Sequence, residues 1–527
     1  MFPGVHAASS PDKIAAVLAG SGATLTYRQL EEGSARLARH LHDRGLRRGD
    51  GLALVADNTL EMFTIYWAAM RSGLYLTPIN HHLTADEIAY IVRDCGARAL
   101  IVSAGIAPLA ADVGAAVPEV VIRLAYGGPV PGFDDLAGAL RDVAYAPPAT
   151  QPRGVEMLYS SGTTGRPKGI RPPLPDRDVN GPPEPFLTIS AELYGFSADT
   201  VYLSPAPLYH AAPLKFTALI HALGATVVVM ERFDPAAALA AIERHGVTHS
   251  QWVPTMFVRM LKLPAEIRAR HDLATHRVAI HAAAPCPVDV KHAMIDWWGP
   301  VLVEYYGATE GCGLTYITSA EWLERPGSVG REVLGELRIC EDGAGTLLPP
   351  RQIGTVFFER EQAPFAYHND PEKTRGSRHP QHDNWTTTGD LGYVDEQGYL
   401  YLTDRKAFMI ISGGVNIYPR DTEDVLALHP AVLDVAVIGV PDEEMGESVL
   451  AVVSPAPGAA PGPDLEQELI AHVRSHIAAF KAPRRVVFTD DMPRTPTGKL
   501  VKQKLRDRYG SVAAGATGSL SAAPQDH

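Results

Sequence analysis

Apolar and polar positions alternate along the chain in blocks that predict layers of strands and helices. Residues 51–56 form a short apolar run typical of a buried strand, and residues 60–73 follow with helical spacing and a closing glycine. Two more apolar runs, 226–230 and 278–284, predict further strands, and the helical pattern of 235–245 lies between them. This repeated strand and helix order predicts an α/β fold.

The patterns in the second half differ from those in the first. Residues 354–359 and 398–402 predict β-rich structure. Residues 510–527 are small and polar, and we expect a disordered tail there. Beyond residue 404 a smaller α+β unit is predicted, with strands at 435–440, 448–453 and 485–489 and a helix at 465–477.

Length and charge narrow the class of protein. A chain of 527 residues exceeds what one hydrophobic core usually spans, so at least two domains are expected. The net charge of −13 argues against a nucleic-acid partner, which would need a basic face. No apolar run approaches the roughly 20 residues of a membrane-spanning helix. Residues 1–13 also lack a leader-like apolar core, so we expect a cytoplasmic protein without an integral membrane segment.

The cysteines argue against two kinds of structural site. Cys95, Cys286, Cys312 and Cys340 are scattered, without Cys-x-x-Cys spacing. Neither a disulfide framework nor a zinc site is expected from this pattern, and the thiols are predicted to be buried.

A loop rich in glycine and hydroxyl residues, 159–169, is the first candidate for chemistry. Glycines let backbone N–H groups approach a polyphosphate closely, hydroxyls add donors, and Lys168 adds a positive charge. The loop is not a Walker A motif, because Pro167 and Gly169 flank the lysine where that motif needs Gly and Ser or Thr. Taken alone, such a loop is also compatible with a solvated linker.

Four more short motifs follow in chain order. The ionised Asp390 carboxylate only accepts hydrogen bonds, which suits a diol, and one carboxylate such as Glu310 beside a triphosphate is enough for magnesium. Each motif is weak alone, but five in order over about 340 positions leave little room for chance. The four are Tyr306-Gly307-Ala308-Thr309-Glu310-Gly311, Thr388-Gly389-Asp390, Asp404-Arg405-Lys406 and Pro493-Arg494-Thr495-Pro496-Thr497-Gly498-Lys499.

Together these motifs resemble those of the ATP-dependent adenylate-forming superfamily, which includes acyl-CoA synthetases, adenylation domains and luciferases. The resemblance covers about residues 10–508. It implies a large N-terminal domain, 1–403, composed of α/β subdomains and a small β-barrel. A small mobile lid, 404–509, is implied to follow and to rotate between two half-reactions.

The resemblance also implies how ATP and magnesium are held. Tyr306 is expected to stack on adenine, Thr309 to contact the phosphate, and Glu310 to bind magnesium together with Thr163. Lys499 is expected to bridge the substrate carboxylate and the α-phosphate during adenylation.

Asp390 is expected to bind the ribose hydroxyls and Arg405 the ribose or phosphate. The remaining positions implied to contact the nucleotide are Ser160, Ser161, Gly162, Thr163, Thr164, Gly165, Lys168, Ala284 and Gly307.

The acyl substrate is implied to lie near His210, to which we assign substrate contact or a gate. A lone histidine among apolar residues is more often structural than a proton-transfer group. The segments 210–215, 252–255 and 282–285 are implied to line the pocket, and Trp252 could either form its wall or belong to the core, the core being favoured.

In the lid, Ser412, Gly413 and Gly414 resemble a loop lining a pantetheine tunnel for coenzyme A. Glycines suit such a tunnel, because any Cβ would narrow it. Ala407 occupies a hinge position where the family usually has Asp or Lys, and this leaves the pivot undefined.

The function expected from the resemblance is ATP- and magnesium-dependent acyl-CoA ligation, with coenzyme A as co-substrate and a monomeric or homodimeric enzyme. The chain length, branching and aromaticity of the acid are not specified by the motifs. A ligase that passes the acyl group to an amine or carrier protein shares every ATP motif. A catalytically inactive relative is disfavoured, because Lys499, Arg405, Asp390 and Glu310 are all present.

Overall fold

Two largely parallel sheets dominate the first part of the structure, as the strand and helix alternation predicted. The structure is a computed structural model. It describes residues 2–148, 150–160, 167–181, 185–405, 408–413, 415–442, 445–494 and 500–510.

The largest sheet has nine strands and is parallel in its centre, with antiparallel strands at both ends. In spatial order its strands are β17 (Arg331–Leu334), β16 (Leu314–Thr318), β15 (Leu302–Gly307), β14 (Val278–His281), β13 (His249–Trp252), β11 (Val201–Ser204), β12 (Thr226–Val229), β1 (Ile14–Leu18) and β2 (Thr24–Thr26).

The second sheet has six strands and is parallel throughout. Its order is β7 (Asp134–Asp135), β6 (Ile122–Tyr126), β5 (Ala97–Ser103), β3 (Gly51–Val55), β4 (Tyr75–Ile79) and β8 (Val155–Glu156).

Three smaller sheets complete the β structure. The third is antiparallel, with β20 (Ala366–Tyr367), β10 (Lys168–Arg171) and β9 (Leu158–Ser160). The fourth contains β18 (Glu336–Cys340), β19 (Gly354–Glu359), β21 (Trp385–Thr386), β22 (Asp390–Val394) and β23 (Leu400–Arg405). The fifth contains β25 (Val415–Ile417), β24 (Ile410–Ser412), β27 (Gly446–Pro455), β26 (Val432–Asp442) and β28 (Arg485–Phe488).

The fourth sheet corrects the expectation of a small barrel. Across the described ranges its strands form an open sheet, in which β18 and β23 are at opposite edges. The edge of β23 turns instead toward the largest sheet, where Leu400 bridges Gly330. This bridge pairs the start of β23 outside the fourth sheet.

Helices cover the sheets. They are α1 (Pro3–Ser9), α2 (Tyr27–Asp43), α3 (Glu61–Met70), α4 (Ala85–Asp94), α5 (Ala107–Ala116), α6 (Leu136–Leu140), α7 (Pro185–Tyr194), α8 (Ala211–Ala222), α9 (Pro235–His245), α10 (Pro254–Leu261), α11 (Ala265–Arg268), α12 (Val288–Trp298), α13 (Ser319–Glu324), α14 (Pro371–Gly376), α15 (Pro419–Ala427), α16 (Pro463–His476) and α17 (Lys502–Tyr509).

Local sequence explains where these helices begin and end. α2 starts at a capping box, in which the Thr26 hydroxyl accepts from the Gln29 backbone and the Gln29 side chain accepts from the Thr26 backbone. α9 has the predicted bounds because Asp234 caps its first turn and Gly246, at φ 60°, ends it in the left-handed conformation.

The prediction that the cysteine thiols are buried is confirmed. All four cysteines are buried. In the part of the chain that the structure describes, no helix combines the length and apolar character needed to cross a membrane.

A buried ion pair joins α2 to the end of α3. Arg71 donates two hydrogen bonds to the Glu31 carboxylate, at 2.8 and 3.1 Å, and both side chains are less than a tenth exposed. We expect Glu31→Ala to lower the free energy of unfolding by about 3–5 kcal/mol, because it leaves the guanidinium buried without its counter-charge. Denaturant titration followed by tryptophan fluorescence measures this loss.

The neighbouring Glu32 supplies a matched control. It pairs with Arg36 one helical turn away, and both side chains are about a third exposed. Glu32→Ala should therefore cost no more than about 0.5 kcal/mol. Equal, small losses in the two variants would contradict a stabilising role for the buried pair.

Candidate active site

The candidate site lies along one edge of the nine-stranded sheet. Strands β11, β13, β14 and β15 run parallel, so their carboxyl ends meet at the same edge, where open α/β sheets bind ligands. His281 pairs with Glu304 in the β14–β15 register. The segments 282–285 and 306–311, which continue these strands, are therefore neighbours.

Two of the sequence motifs meet through a direct hydrogen bond. The Tyr306 hydroxyl donates to Asp390 Oδ2 at 2.7 Å, and the Thr388 hydroxyl donates to the same oxygen at 2.7 Å. Burial, reinforced by the Asp390 carboxylate, raises the pKa of Tyr306 well above its usual value. The phenol therefore stays protonated, and it orients a carboxylate that can accept hydrogen bonds from a diol.

A third motif, which contains Arg405, lies beside Asp390 because their strands pair. Asp390 pairs with Arg405 in the register of β22 and β23, while the Arg405 side chain lies outside the described residues. Beside Tyr306 lies a small cavity bordered by Phe358, whose ring centre is 6.1 Å from that of the tyrosine. Further residues that line this small cavity are Gly307, Ala308, Cys312, Gly313, Val356, Thr386, Thr387 and Thr388.

A short hairpin borders the glycine-rich loop. Ser160 at the end of β9 pairs with Lys168 at the start of β10, so both lie at the mouth of the loop between them. The predicted phosphate ligands Ser161, Gly162, Thr163, Thr164 and Gly165 lie outside the described residues.

Glu310 lies in the turn that follows β15. The Gly311 N–H donates to the Ala308 carbonyl at 3.0 Å and closes this turn around Thr309 and Glu310. Tyr367 donates its hydroxyl to Glu310 Oε1 at 3.0 Å. A partly buried carboxylate held in this way fits the oxygen ligands that magnesium prefers.

His210 is the residue immediately before α8. Its ring packs on Tyr209, and Tyr209 in turn packs on His81 after β4. Burial lowers the pKa of His210 to about 3, so the ring is neutral near pH 7. Its Nε2 atom is buried and has no hydrogen-bond partner within the described part of the chain, so its hydrogen-bonding capacity is unused there.

Two of the segments predicted to line the acyl pocket differ in burial. Trp252 is buried in the core against Phe257 and Trp298, and its Nε1 donates to Ser250 Oγ at 2.5 Å. By contrast, Ala283 is exposed after β14 with φ 75°, a left-handed conformation that is rare for alanine. Ala284, next to it, is half-buried.

The predicted coenzyme A loop is a tight hairpin in the fifth sheet. Ser412 pairs with Val415, and Gly413 has φ 56° and donates its N–H to the Met445 carbonyl at 2.8 Å. Gly414, Ala407 and the catalytic candidate Lys499 lie outside the described residues, as does the predicted tail from residue 511 onward.

Sequence analysis missed the roles of Thr388 and Tyr367. Thr388 was within a recognised motif, and its position two residues before Asp390 was a usable signal. Tyr367 had no such signal, because only the pairing of Tyr367 with Ile170 brings it beside the glycine-loop hairpin and Glu310.

Comparison with known proteins gives matches along nearly the whole chain. The AMP-binding enzyme family matches residues 5–363, and the AMP-binding enzyme C-terminal domain matches residues 421–499. The fatty acid–[acyl-carrier-protein] ligase ScoC of Streptomyces coeruleorubidus is 32% identical, covering 94% of this chain and 93% of the relative. The long-chain-fatty-acid–CoA ligase FadD13 of Mycobacterium tuberculosis is 32% identical, covering 96% of this chain and 97% of the relative.

A solved structure extends the similarity to the fold. The amide bond synthetase McbA from Marinactinospora thermotolerans superposes with a TM-score of 0.78 at 28% identity, covering 96% of this chain and 99% of that one. The names of these three proteins indicate different acceptors, but each name describes a ligation reaction. The family matches, together with the meeting of Tyr306 and Asp390, identify the chain as a member of the AMP-binding enzyme family, an adenylate-forming ligase.

Proposed function

We propose that the protein is an ATP-dependent acyl-CoA ligase. It converts a carboxylic acid to an acyl adenylate and then transfers the acyl group to coenzyme A. The observation that supports the adenylation step is the arrangement at the end of β15, where Tyr306 binds Asp390 of the fourth sheet and Glu310 lies in the turn that follows. The tight turn at Gly413 and the likeness to FadD13 support coenzyme A as acceptor.

In the first half-reaction, a carboxylate oxygen attacks the α-phosphorus, and pyrophosphate leaves. No general base is needed, because a carboxylic acid is already ionised near pH 7. Two anions must approach each other, so the protein has to supply positive charge and fixed donors. We assign this task to Lys499, Lys168 and the backbone N–H groups of the glycine loop.

Magnesium held by Glu310 would neutralise part of the phosphate charge when it is bound. Thr163 is proposed as its second protein contact. The Asp390 carboxylate, oriented by Tyr306 and Thr388, accepts hydrogen bonds from the ribose hydroxyls and so fixes the nucleotide.

In the second half-reaction, a thiol sulfur attacks the acyl carbonyl carbon, the bond to AMP breaks, and the thiol proton passes to solvent. Rotation of a lid at residues 404–509 against a domain at 1–403 is proposed to exchange Lys499 for the Gly413 turn. Neutral His210 presents its buried Nε2 atom to the acyl end of the substrate without transferring a proton. We place this enzyme in the cytoplasm, as a monomer or homodimer.

A second candidate function differs only in the acceptor. The likenesses to ScoC and McbA favour transfer to a carrier protein or an amine, and every nucleotide residue described above would serve that reaction equally well.

The product mass distinguishes these functions. The protein is incubated with magnesium-ATP and a pooled panel of aliphatic, branched and aromatic acids, with and without coenzyme A, and products are identified by mass spectrometry. We expect thioesters only when coenzyme A is present. Adenylates that persist in its presence, and are consumed after addition of an amine or carrier protein, would contradict the coenzyme A assignment.

A further inference from the structure

Aromatic side chains fill the space between α8 and the nine-stranded sheet. Tyr202 of β11 and Phe216 of α8 stack nearly parallel, with ring centres 6.3 Å apart and an angle of 5° between the rings. Tyr194 at the end of α7 lies 5.6 Å from the Phe216 ring, and Tyr305 of β15 lies 6.0 Å from it. We call these four residues the aromatic block.

A hydrogen-bonded amide fixes two rings of the aromatic block. The buried Gln251 of β13 accepts from the Tyr202 hydroxyl at 3.3 Å and donates its side-chain amide to the Tyr305 hydroxyl at 3.2 Å. Displacing either ring would leave part of the buried amide unpaired, which is costly. The aromatic block is therefore a wall that a ligand does not readily push aside.

Tyr305 is the member of the aromatic block that faces the candidate active site. It precedes Tyr306, the expected adenine contact, and it is half-buried, whereas the other three members are buried. Phe216 lies on α8, which begins directly after His210, the expected acyl contact. A substrate chain that extends past His210 between α8 and the sheet would therefore meet the Tyr305 and Phe216 rings.

A second direction, toward Trp252, also ends at aromatic rings. The Trp252 indole is almost fully buried, and its ring centre lies 6.2 Å from that of Phe257 and 5.5 Å from that of Trp298. Forcing extra methylenes into a well-packed core is destabilising, because the surrounding side chains must leave their preferred positions. Neither of these two directions offers room for a long acyl chain.

We propose that the substrate is a compact carboxylic acid whose acyl group ends at the Tyr305 ring, and not a long-chain fatty acid. The proposal rests on the adenylation half of the proposed function and adds the size class of the acid, which the motifs do not specify. It separates this chain from FadD13, whose name describes long-chain acids. Tyr305 is thereby assigned the role of limiting acyl length.

Adenylation rates for two series of acids of increasing length test this role without knowledge of the acceptor. One series contains unbranched acids from propionate to palmitate, and the other contains benzoate and para-alkylbenzoates. Hydroxylamine replaces the acceptor and captures the acyl adenylate, so pyrophosphate release gives kcat/KM for each acid. The natural full-length protein is compared with Tyr305→Ala, Tyr305→Phe and Phe196→Ala, and AMP binding reports the folding of each variant.

Phe196→Ala is the matched control for the loss of an aromatic ring. Phe196 is buried and packs on the three buried members of the aromatic block, with ring centres 5.4, 6.1 and 6.2 Å from those of Tyr194, Tyr202 and Phe216. Its truncation creates a cavity in the same cluster but leaves Tyr305 in place. A change in length preference that comes only from loosened packing would appear in this variant as well.

In the natural protein, kcat/KM should be highest for a short member of the accepted series and fall about 10- to 200-fold at the first methylene that does not fit. Tyr305→Ala should move the optimum to longer acids, because it removes the ring at which the acyl group ends. Tyr305→Phe and Phe196→Ala should both keep the natural length limit. Tyr305→Leu, a milder truncation, replaces Tyr305→Ala if that variant does not fold.

A kcat/KM for palmitate in the natural protein equal to that for a short acid would overturn the proposal, since the aromatic block would then admit a long chain. A length limit that the truncations of Tyr305 leave unchanged would also overturn it, because another part of the chain would then set the limit. Adenylation of long acids would leave the proposed function standing. Absence of adenylation with every acid would contradict the proposed function and the size assignment together.

Discussion

Lys499→Ala should strongly slow formation of the acyl adenylate but spare thioester formation from supplied acyl adenylate. Lys499 lies outside the described residues, so its role is a prediction from its motif. A preorganised cation at a developing charge contributes about 100- to 1000-fold to rate, and we expect the first half-reaction to fall by that amount. Pyrophosphate release and thioester formation from synthetic adenylate are measured separately.

Lys504→Ala is the control for Lys499. Lys504 is exposed on α17, five residues further along, so its loss changes net charge equally. It should leave both half-reactions within about twofold, as expected for an exposed side chain. Equal loss of the two half-reactions in Lys499→Ala would contradict the role assigned to this lysine.

Gly413→Leu should have the opposite effect, with adenylate formation retained and thioester formation reduced by about 100-fold or more through misplacement or exclusion of the thiol. The reason is steric, because a leucine side chain at this turn would project into the proposed pantetheine tunnel. Single-turnover assays of each half-reaction, with the acid identified from the product masses, measure the effect.

Local strain is an alternative cause of the same loss. Gly413 has a left-handed φ, and an added Cβ would approach Met445 Cε to 2.5 Å. Gly458→Leu controls for the φ alone, because Gly458 has φ 88° in an exposed loop of the same region with no atom within 4 Å of its Cβ position. Gly413→Leu combined with Met445→Ala removes the contact, and rescue of thioester formation by Met445→Ala would contradict the tunnel assignment.

Local sequence patterns were sufficient to predict the elements whose bounds depend on residues close together in sequence. The bounds of α9 and β19 agree with the prediction, because capping residues and short runs of β-favouring residues define such elements. The predicted barrel failed for the opposite reason. Closure depends on which strand edges meet in space, and the bridge between Leu400 and Gly330 was not visible in the order of residues.

The same distinction between local and long-range information applies to the functional residues. The sequence by itself determined the class of protein, because the five motifs are runs of adjacent residues whose chemistry is readable in place. Only the tertiary structure decided which of those residues touch. The Tyr306–Asp390 bond spans 84 positions, and Tyr367 comes beside the glycine-loop hairpin and Glu310 through the pairing of β10 with β20. Such contacts depend on strand register and chain crossings, which no local pattern of apolar and polar positions specifies.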